Sequence, residues 1–207
     1  MLVSEYDRAL ADITAIKRQM ARAVEFRGYG PAAFAATGAL AATAAIAQSA
    51  LLPSPAGNTD AWLALWVGVA AASAAVIGVE MVGRSKRLHS TLAGPMLRSA
   101  VEQFMPSAVA GGALTAVLAL AAPTSLWMMP GLWQIVFALG VFSSCRFLPR
   151  SMALVGFWYL GTGLACLAFG SGGASFAPWT MGVPFGVGQV MVAAVLRFGM
   201  EGDHERV

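Results

Sequence analysis

Six long runs of apolar residues constrain the fold of this 207-residue chain more than any other feature. A helix needs about 20 apolar residues to cross the hydrocarbon core of a bilayer. Runs of roughly this length lie at about 32–52, 61–82, 106–122, 131–148, 152–169 and 179–198. Only 11% of the residues are charged, whereas soluble domains carry roughly a quarter. The sequence therefore predicts an all-α integral membrane protein with six transmembrane helices.

Amphipathic segments are predicted on the polar side of these spans. Within residues 4–26, apolar side chains recur three and four residues apart, which places them on one helix face. That face contains Tyr6, Leu10, Ile13, Ile16, Met20 and Val24. We expect residues 1–30 to form a cytoplasmic amphipathic helix and residues 85–105 to form a second one, which ends where the third span begins at Pro106. The transmembrane domain is then 31–198, and 199–207 is a short cytoplasmic tail.

The distribution of Lys and Arg predicts the orientation of the spans. Residues 1–30 hold five of the thirteen, residues 83–105 hold four, and the junction of spans four and five and the C-terminal end hold two each. The three opposite loops hold none. Lys and Arg accumulate in cytoplasmic loops, so both termini are predicted to be cytoplasmic. Two Lys against eleven Arg, with abundant Ala and Gly, indicate a GC-rich bacterial gene and therefore the bacterial inner membrane.

A weak internal repeat suggests how the spans are grouped. The segment 20–26 before Pro31 resembles the segment 96–104 before Pro106. Each copy precedes a helix of small residues, a short loop and a helix that begins with tryptophan. This pattern predicts three related helical hairpins. The alternative is chance similarity within a chain of low complexity.

No catalytic or cofactor motif is present. The sequence lacks the common nucleophile, metalloprotease, phosphate-binding and dinucleotide-binding patterns. His89 and His204 both fall outside the spans, which excludes a haem held by paired intramembrane histidines. Cys145 and Cys166 are expected to lie too far apart for a disulfide, so we predict two reduced cysteines. We expect no enzyme, no cofactor and no metal site.

Ionisable and amide side chains inside the spans are the candidate intramembrane site, since such groups are costly in lipid. Glu80 and Arg146 hold matching positions near the cytoplasmic ends of spans two and four, so we predict that they pair. The alternatives are snorkelling to the interface and a proton- or ion-coupled site. Gln189 lies deeper and is expected to bind across the bundle or to line a path. Gln48 and Gln134 lie near the opposite helix ends and are expected to face water.

Two candidate contact surfaces lie on the predicted cytoplasmic side. The apolar face of the first helix, with Tyr6, Leu10, Ile13 and Met20, is expected either to rest on lipid or to dock a partner. Arg84, Lys86 and Arg87 are candidate contacts for anionic lipid head groups. Nucleic acid is not expected as a partner, because the basic residues are few and alternate with acidic ones.

These features favour a non-enzymatic membrane module that acts through its cytoplasmic face as a regulatory or accessory subunit. Its expected partners are the lipid bilayer and a cytoplasmic or membrane protein, and its oligomeric state is left open. The alternative is a small transporter or channel with a polar site formed by Glu80, Arg146 and Gln189. The repeat and the sixth span, where Gly182 and Gly186 flank Pro184, support that alternative.

Overall fold

The computed structural model describes residues 30–87, 93–145, 151–170 and 172–204, and these residues form helices and no strand. Six α-helices follow one another: α1 (Pro31–Leu51), α2 (Thr59–Arg87), α3 (Ala93–Ala121), α4 (Met129–Ser144), α5 (Met152–Phe169) and α6 (Pro178–His204). Short 3-10 segments join them at Pro55–Gly57, Pro123–Met128 and Gly172–Phe176. The amphipathic helix predicted within residues 1–30 lies outside the described residues.

Six helical segments are long and apolar enough to cross a membrane, so the prediction of six such segments is confirmed; the fourth, Pro123–Ser144, joins a 3-10 segment to α4. In α2, α3 and α6 these segments cover Thr59–Gly83, Glu102–Ala121 and Pro178–Phe198. Proline stands in the first turn of α1, α4 and α6, where the backbone N–H it lacks would have no helical partner. Proline therefore marks these helix starts in the sequence, because it ends the preceding connection and is tolerated in the first turn of the helix.

Helix α3 continues through Pro106, so the predicted boundary at that residue is wrong. Proline removes one backbone hydrogen bond from a helix and usually bends or ends it. In apolar surroundings, however, ending the helix would leave several peptide groups without partners, which costs more than the one lost bond. The second amphipathic segment and the third span therefore form one helix of 29 residues, Ala93–Ala121.

The helix pairs of the three predicted hairpins do pack together, but they do not make the most extensive contacts. The most extensive contacts join α1 to α6 and α4 to α5, and α3 packs on α4, α2 on α1 and α5 on α6. Contacts between α2 and α3 are few. The order around the bundle is therefore α2, α1, α6, α5, α4, α3, and the three-hairpin arrangement is not confirmed.

Small residues explain why α1 and α6 approach so closely. A Cβ atom added to Gly182 of α6 would lie 2.5 Å from the Cβ of Ala45 in α1. One added to Gly38 of α1 would lie 3.0 Å from the carbonyl oxygen of Gly186. Neither site has room for a larger side chain, and small residues are what permit close helix contact in apolar bundles.

The two ends of the bundle differ. At one end the three 3-10 segments contact one another, with Gly172–Phe176 touching both of the others, and we call this the loop-closed end. At the other end α2, α3 and α6 include the helical stretches 84–87, 93–101 and 199–204. The sequence of these stretches carries charged residues, among them Arg84, Lys86, Arg87, Arg98, Glu201 and Asp203, and we call this the extended end.

Candidate functional site

A buried carboxamide organises the loop-closed end. Gln48 of α1 is fully buried, and its Oε1 accepts a hydrogen bond of 2.7 Å from the indole Nε1 of Trp66 in α2. Its Nε2 donates to the carbonyl of Phe176 at 2.6 Å. Both polar atoms of the side chain are therefore used to join α1 to α2 and to the 3-10 segment before α6.

A second carboxamide, Gln134 of α4, is also 0% exposed. Its Nε2 donates to the carbonyl of Thr180 in α6 at 2.8 Å and to the carbonyl of Pro130 at 3.0 Å. The thiol of Cys166 lies 3.6 Å from the same nitrogen. The Oε1 of Gln134 is buried without a hydrogen-bond partner, so this side chain links α4 to α6 with one acceptor unused.

The expectation that Gln48 and Gln134 face water is wrong, because neither side chain has any exposed surface. A position near a helix end favours solvent access, but the 3-10 segment Gly172–Phe176 lies over that end of the bundle. The peptide groups of this segment need hydrogen-bond partners once they are buried. Gln48 donates to the carbonyl of Phe176 in this segment, and Gln134 donates to the carbonyl of Thr180, which follows it in α6.

The loop-closed end also holds a packed aromatic cluster that sequence reasoning missed. Trp62 is 0% exposed; its ring stacks on Trp133 at 5.6 Å and meets Phe176 edge-on at 5.1 Å. Trp62 and Trp66 both face the interior of the bundle. The spacing of four residues between them, which puts both rings on one face of α2, was the available signal.

Gln189 binds across the bundle, which is one of the two roles expected of it. Its Nε2 lies 3.4 Å from the hydroxyl oxygen of Tyr159 in α5, and its Oε1 is buried without a partner. A rotation of the carboxamide by about 180° would let the phenol donate to Oε1. Gly188, beside it, has no room for a Cβ because the Tyr159 ring fills that space.

Aromatic rings fill the bundle around Tyr159. Its ring centroid lies 4.7 Å from that of Phe137 in α4 and 5.2 Å from that of Phe185 in α6. Phe104 of α3 meets Phe137 edge-on at 5.3 Å. Ring pairs at these separations are favourable contacts. The middle of the bundle is therefore held by interlocked aromatic side chains from four helices.

Glu80 lies elsewhere, in a groove between α1 and α2 near the extended end. The groove has a volume of about 430 Å³ and is lined by Ala33, Ala75, Val76, Val79 and Glu80. Four of these five side chains are apolar. Glu80, the last described lining residue on α2, precedes the basic residues Arg84, Lys86 and Arg87 along the helix.

Several predicted site residues cannot be placed in this way. Arg146 lies outside the described residues, so its pairing with Glu80 stays a prediction. The proposed docking face formed by Tyr6, Leu10, Ile13 and Met20 lies outside them as well. Arg84, Lys86 and Arg87 belong to the last turn of α2, and only their backbone is described.

Both cysteines are free, which confirms that part of the prediction. Cys145 follows the end of the fourth apolar segment at Ser144, and burial raises the pKa of its thiol above the ordinary value. Among the residues that the structure describes, no three His, Cys, Asp or Glu side chains form a group that could hold a metal ion.

Comparisons with protein-family models, with curated proteins and with solved structures found no match to this chain.

Proposed function

We propose that the chain is a multi-pass protein of the bacterial inner membrane that places its extended end in the cytoplasm. There it serves as a non-enzymatic regulatory or accessory module and binds a protein partner. The observation that carries this proposal is the difference between the two ends of the bundle. Three helices, α2, α3 and α6, include stretches with charged residues at one end, whereas short 3-10 segments lie together at the other.

The charge pattern supports the same choice of end. All thirteen Lys and Arg residues belong to the sequence on the extended side, and the loop-closed side carries Asp60 as its charged residue. Positive charge favours the cytoplasmic side of a membrane. Helices that project from that side offer a surface for recognition, and the amphipathic segment 4–26 adds a further apolar face there.

The second candidate function, a small transporter or channel, is favoured by two buried acceptors. The Oε1 atoms of Gln134 and Gln189 have no hydrogen-bond partner, and such atoms are where a polar solute or water could bind. Against this candidate, two of its proposed site residues lie apart. Glu80 lines the groove between α1 and α2, whereas Gln189 binds Tyr159 between α5 and α6.

The partner-binding proposal is tested by purifying the full chain from its own membranes together with any stoichiometric protein. Ile13→Glu and Met20→Glu place a carboxylate on the apolar face of segment 4–26, seven residues apart on one stripe. Desolvating that carboxylate without a partner costs several kcal/mol, which is enough to dissociate a complex of micromolar affinity. We expect both variants to insert normally and to lose the partner.

Arg8→Glu is the matched control, because residue 8 lies off that stripe and the reversal adds the same carboxylate. It should retain the partner. Equal recovery of the partner with all three variants would reject docking by this face. The transporter candidate is tested separately with protein in vesicles that contain a pH-sensitive dye. A proton flux that Gln189→Leu abolishes would favour it over the module.

A further inference from the structure

We infer that the groove between α1 and α2 binds one acyl chain of an anionic phospholipid whose head group is held by Lys86 and Arg87. The inference does not depend on the proposed protein partner. It rests on the position of the groove, on the apolar character of its lining and on the register of the basic residues that follow it along α2.

The groove lies at the edge of the apolar part of the bundle. Ala33 belongs to the first turn of α1, and the other lining residues, 75–80, belong to the last turns of the apolar segment of α2, which ends at Gly83. An acyl chain placed there would run beside the apolar segment. Its head group would lie at the level where the helix becomes charged.

Helical register places two basic residues at the mouth of this groove. Successive residues of an α-helix are rotated by about 100° around its axis. Viewed along α2, Gly83 therefore lies in nearly the same direction as the average of the four lining residues 75, 76, 79 and 80, which we call the groove's centre line. Lys86 and Arg87 hold positions about 50° to either side of that line, one turn further on. Arg84 lies about 110° from it. Among the described residues, no atom lies within 4 Å of a Cβ position at Gly83, so no described side chain separates the groove from these positions.

Glu80 is the acidic member of the described groove lining. Arg84 lies far from the groove's centre line by register, so the assignment uses Lys86 and Arg87 for the phosphate. A transmembrane helix is a poorer occupant, because it is about 10 Å wide and the groove lining spans fewer than two turns of α2.

The test is native mass spectrometry of the detergent-purified full chain. It is titrated with palmitoyl-oleoyl phosphatidylglycerol and, separately, with phosphatidylcholine that carries the same chains. We expect the first phosphatidylglycerol to bind roughly 25-fold more tightly, since each of the two basic side chains near an anionic head group contributes about fivefold. Lys86→Gln combined with Arg87→Gln should remove this preference. Arg84→Gln, the control, should retain it.

The groove itself is tested by Ala75→Phe, which fills it, and by Ala74→Phe, which adds the same ring about 170° from the groove's centre line. Ala75→Phe should weaken the binding of both lipids, and Ala74→Phe should not. Excess glycerol 3-phosphate should leave phosphatidylglycerol binding unchanged. Any of four results would overturn the inference. The wild type could bind the two lipids equally, or the Lys86/Arg87 double variant could keep the preference. The two Phe variants could have equal effects, or glycerol 3-phosphate could compete with phosphatidylglycerol. If Ala75→Phe fails to fold, the charge variants, which lie beyond the apolar segment, still decide it.

Discussion

The indole nitrogen of Trp66 donates a hydrogen bond of 2.7 Å to the Oε1 of Gln48, which in turn donates to the carbonyl of Phe176 at 2.6 Å. Gln48 and Phe176 are 128 residues apart in the chain. The buried carboxamide of Gln48 therefore joins α1, α2 and the 3-10 segment before α6. Since hydrogen bonds are hard to replace in apolar surroundings, this contact should fix the position of the 3-10 segment over the loop-closed end.

Breaking either side of this contact should lower the free energy of unfolding. Trp66→Phe leaves Gln48 Oε1 buried without a donor, and Gln48→Leu leaves both the indole and the Phe176 carbonyl unpaired. Each should cost about 1–3 kcal/mol, and the double variant should cost less than the sum of the two. Thermal unfolding in detergent measures all three. Thr43→Val, on the exposed face of α1, should change the unfolding free energy by less than about 0.5 kcal/mol; additive losses in the cycle would show that Trp66 and Gln48 are not coupled.

Glycine-to-alanine changes should have opposite signs at two positions. At Gly182 the new Cβ would press on Ala45 of α1 at 2.5 Å, whereas at Gly161 in α5 nothing lies within 4 Å. Gly182→Ala should destabilise the bundle, and overpacking of this kind typically costs about 1–3 kcal/mol. Gly161→Ala should stabilise it by up to about 1 kcal/mol, because alanine favours the helix. Unfolding midpoints measured side by side decide this, and a stabilising Gly182→Ala would show that α1 and α6 do not pack as described.

The two unsatisfied glutamines should differ in what they contribute to stability. Gln134 donates to two backbone carbonyls at 2.8 and 3.0 Å, whereas Gln189 has one long contact of 3.4 Å with Tyr159. Gln134→Leu should therefore lower the free energy of unfolding by about 1–3 kcal/mol, and Gln189→Leu should cost less. Chemical unfolding in mixed micelles compares them. A larger loss at Gln189 would indicate that its Oε1 has a partner such as a bound water.

The sequence predicts where the helices lie because each apolar run is about one membrane thickness long and is bounded by Pro, Gly or Ser. The predicted start of the fifth span, residue 152, is the residue at which α5 begins. The sequence fails where the answer depends on contacts between distant parts of the chain. The burial of Gln48 depends on Phe176, and that of Gln134 on Thr180, and no local pattern reports such pairings.

The order of the helices around the bundle could not be predicted from the sequence either, because it also depends on contacts between distant parts of the chain. The repeat compares each segment with its neighbour in sequence, whereas the most extensive contact joins α1 to α6. Gly38 and Gly182 mark that contact by the absence of side chains. The sequence shows that α1 and α6 both contain small residues, but it does not show that these two helices meet.

The proposed pair of Glu80 and Arg146 remains a prediction that a double-mutant cycle can test. If the two side chains interact at the ends of their helices, Glu80→Ala and Arg146→Ala should each destabilise the solubilised protein. The double variant should then recover part of the combined loss, since no uncompensated charge is left. Additivity within about 0.5 kcal/mol would mean that the two residues do not interact.

The orientation of the extended end is the claim on which the proposed function depends, and reporter fusions test it most directly. Alkaline phosphatase, active outside the cytoplasm, and green fluorescent protein, which reports the cytoplasm, are fused in parallel after chosen residues. Fusions after residues 29, 90, 150 and 207 should report the cytoplasm, and those after 57, 126 and 173 should report the opposite side. A phosphatase signal after residue 90 or 150 would contradict both the six-span topology and the cytoplasmic role of the extended end.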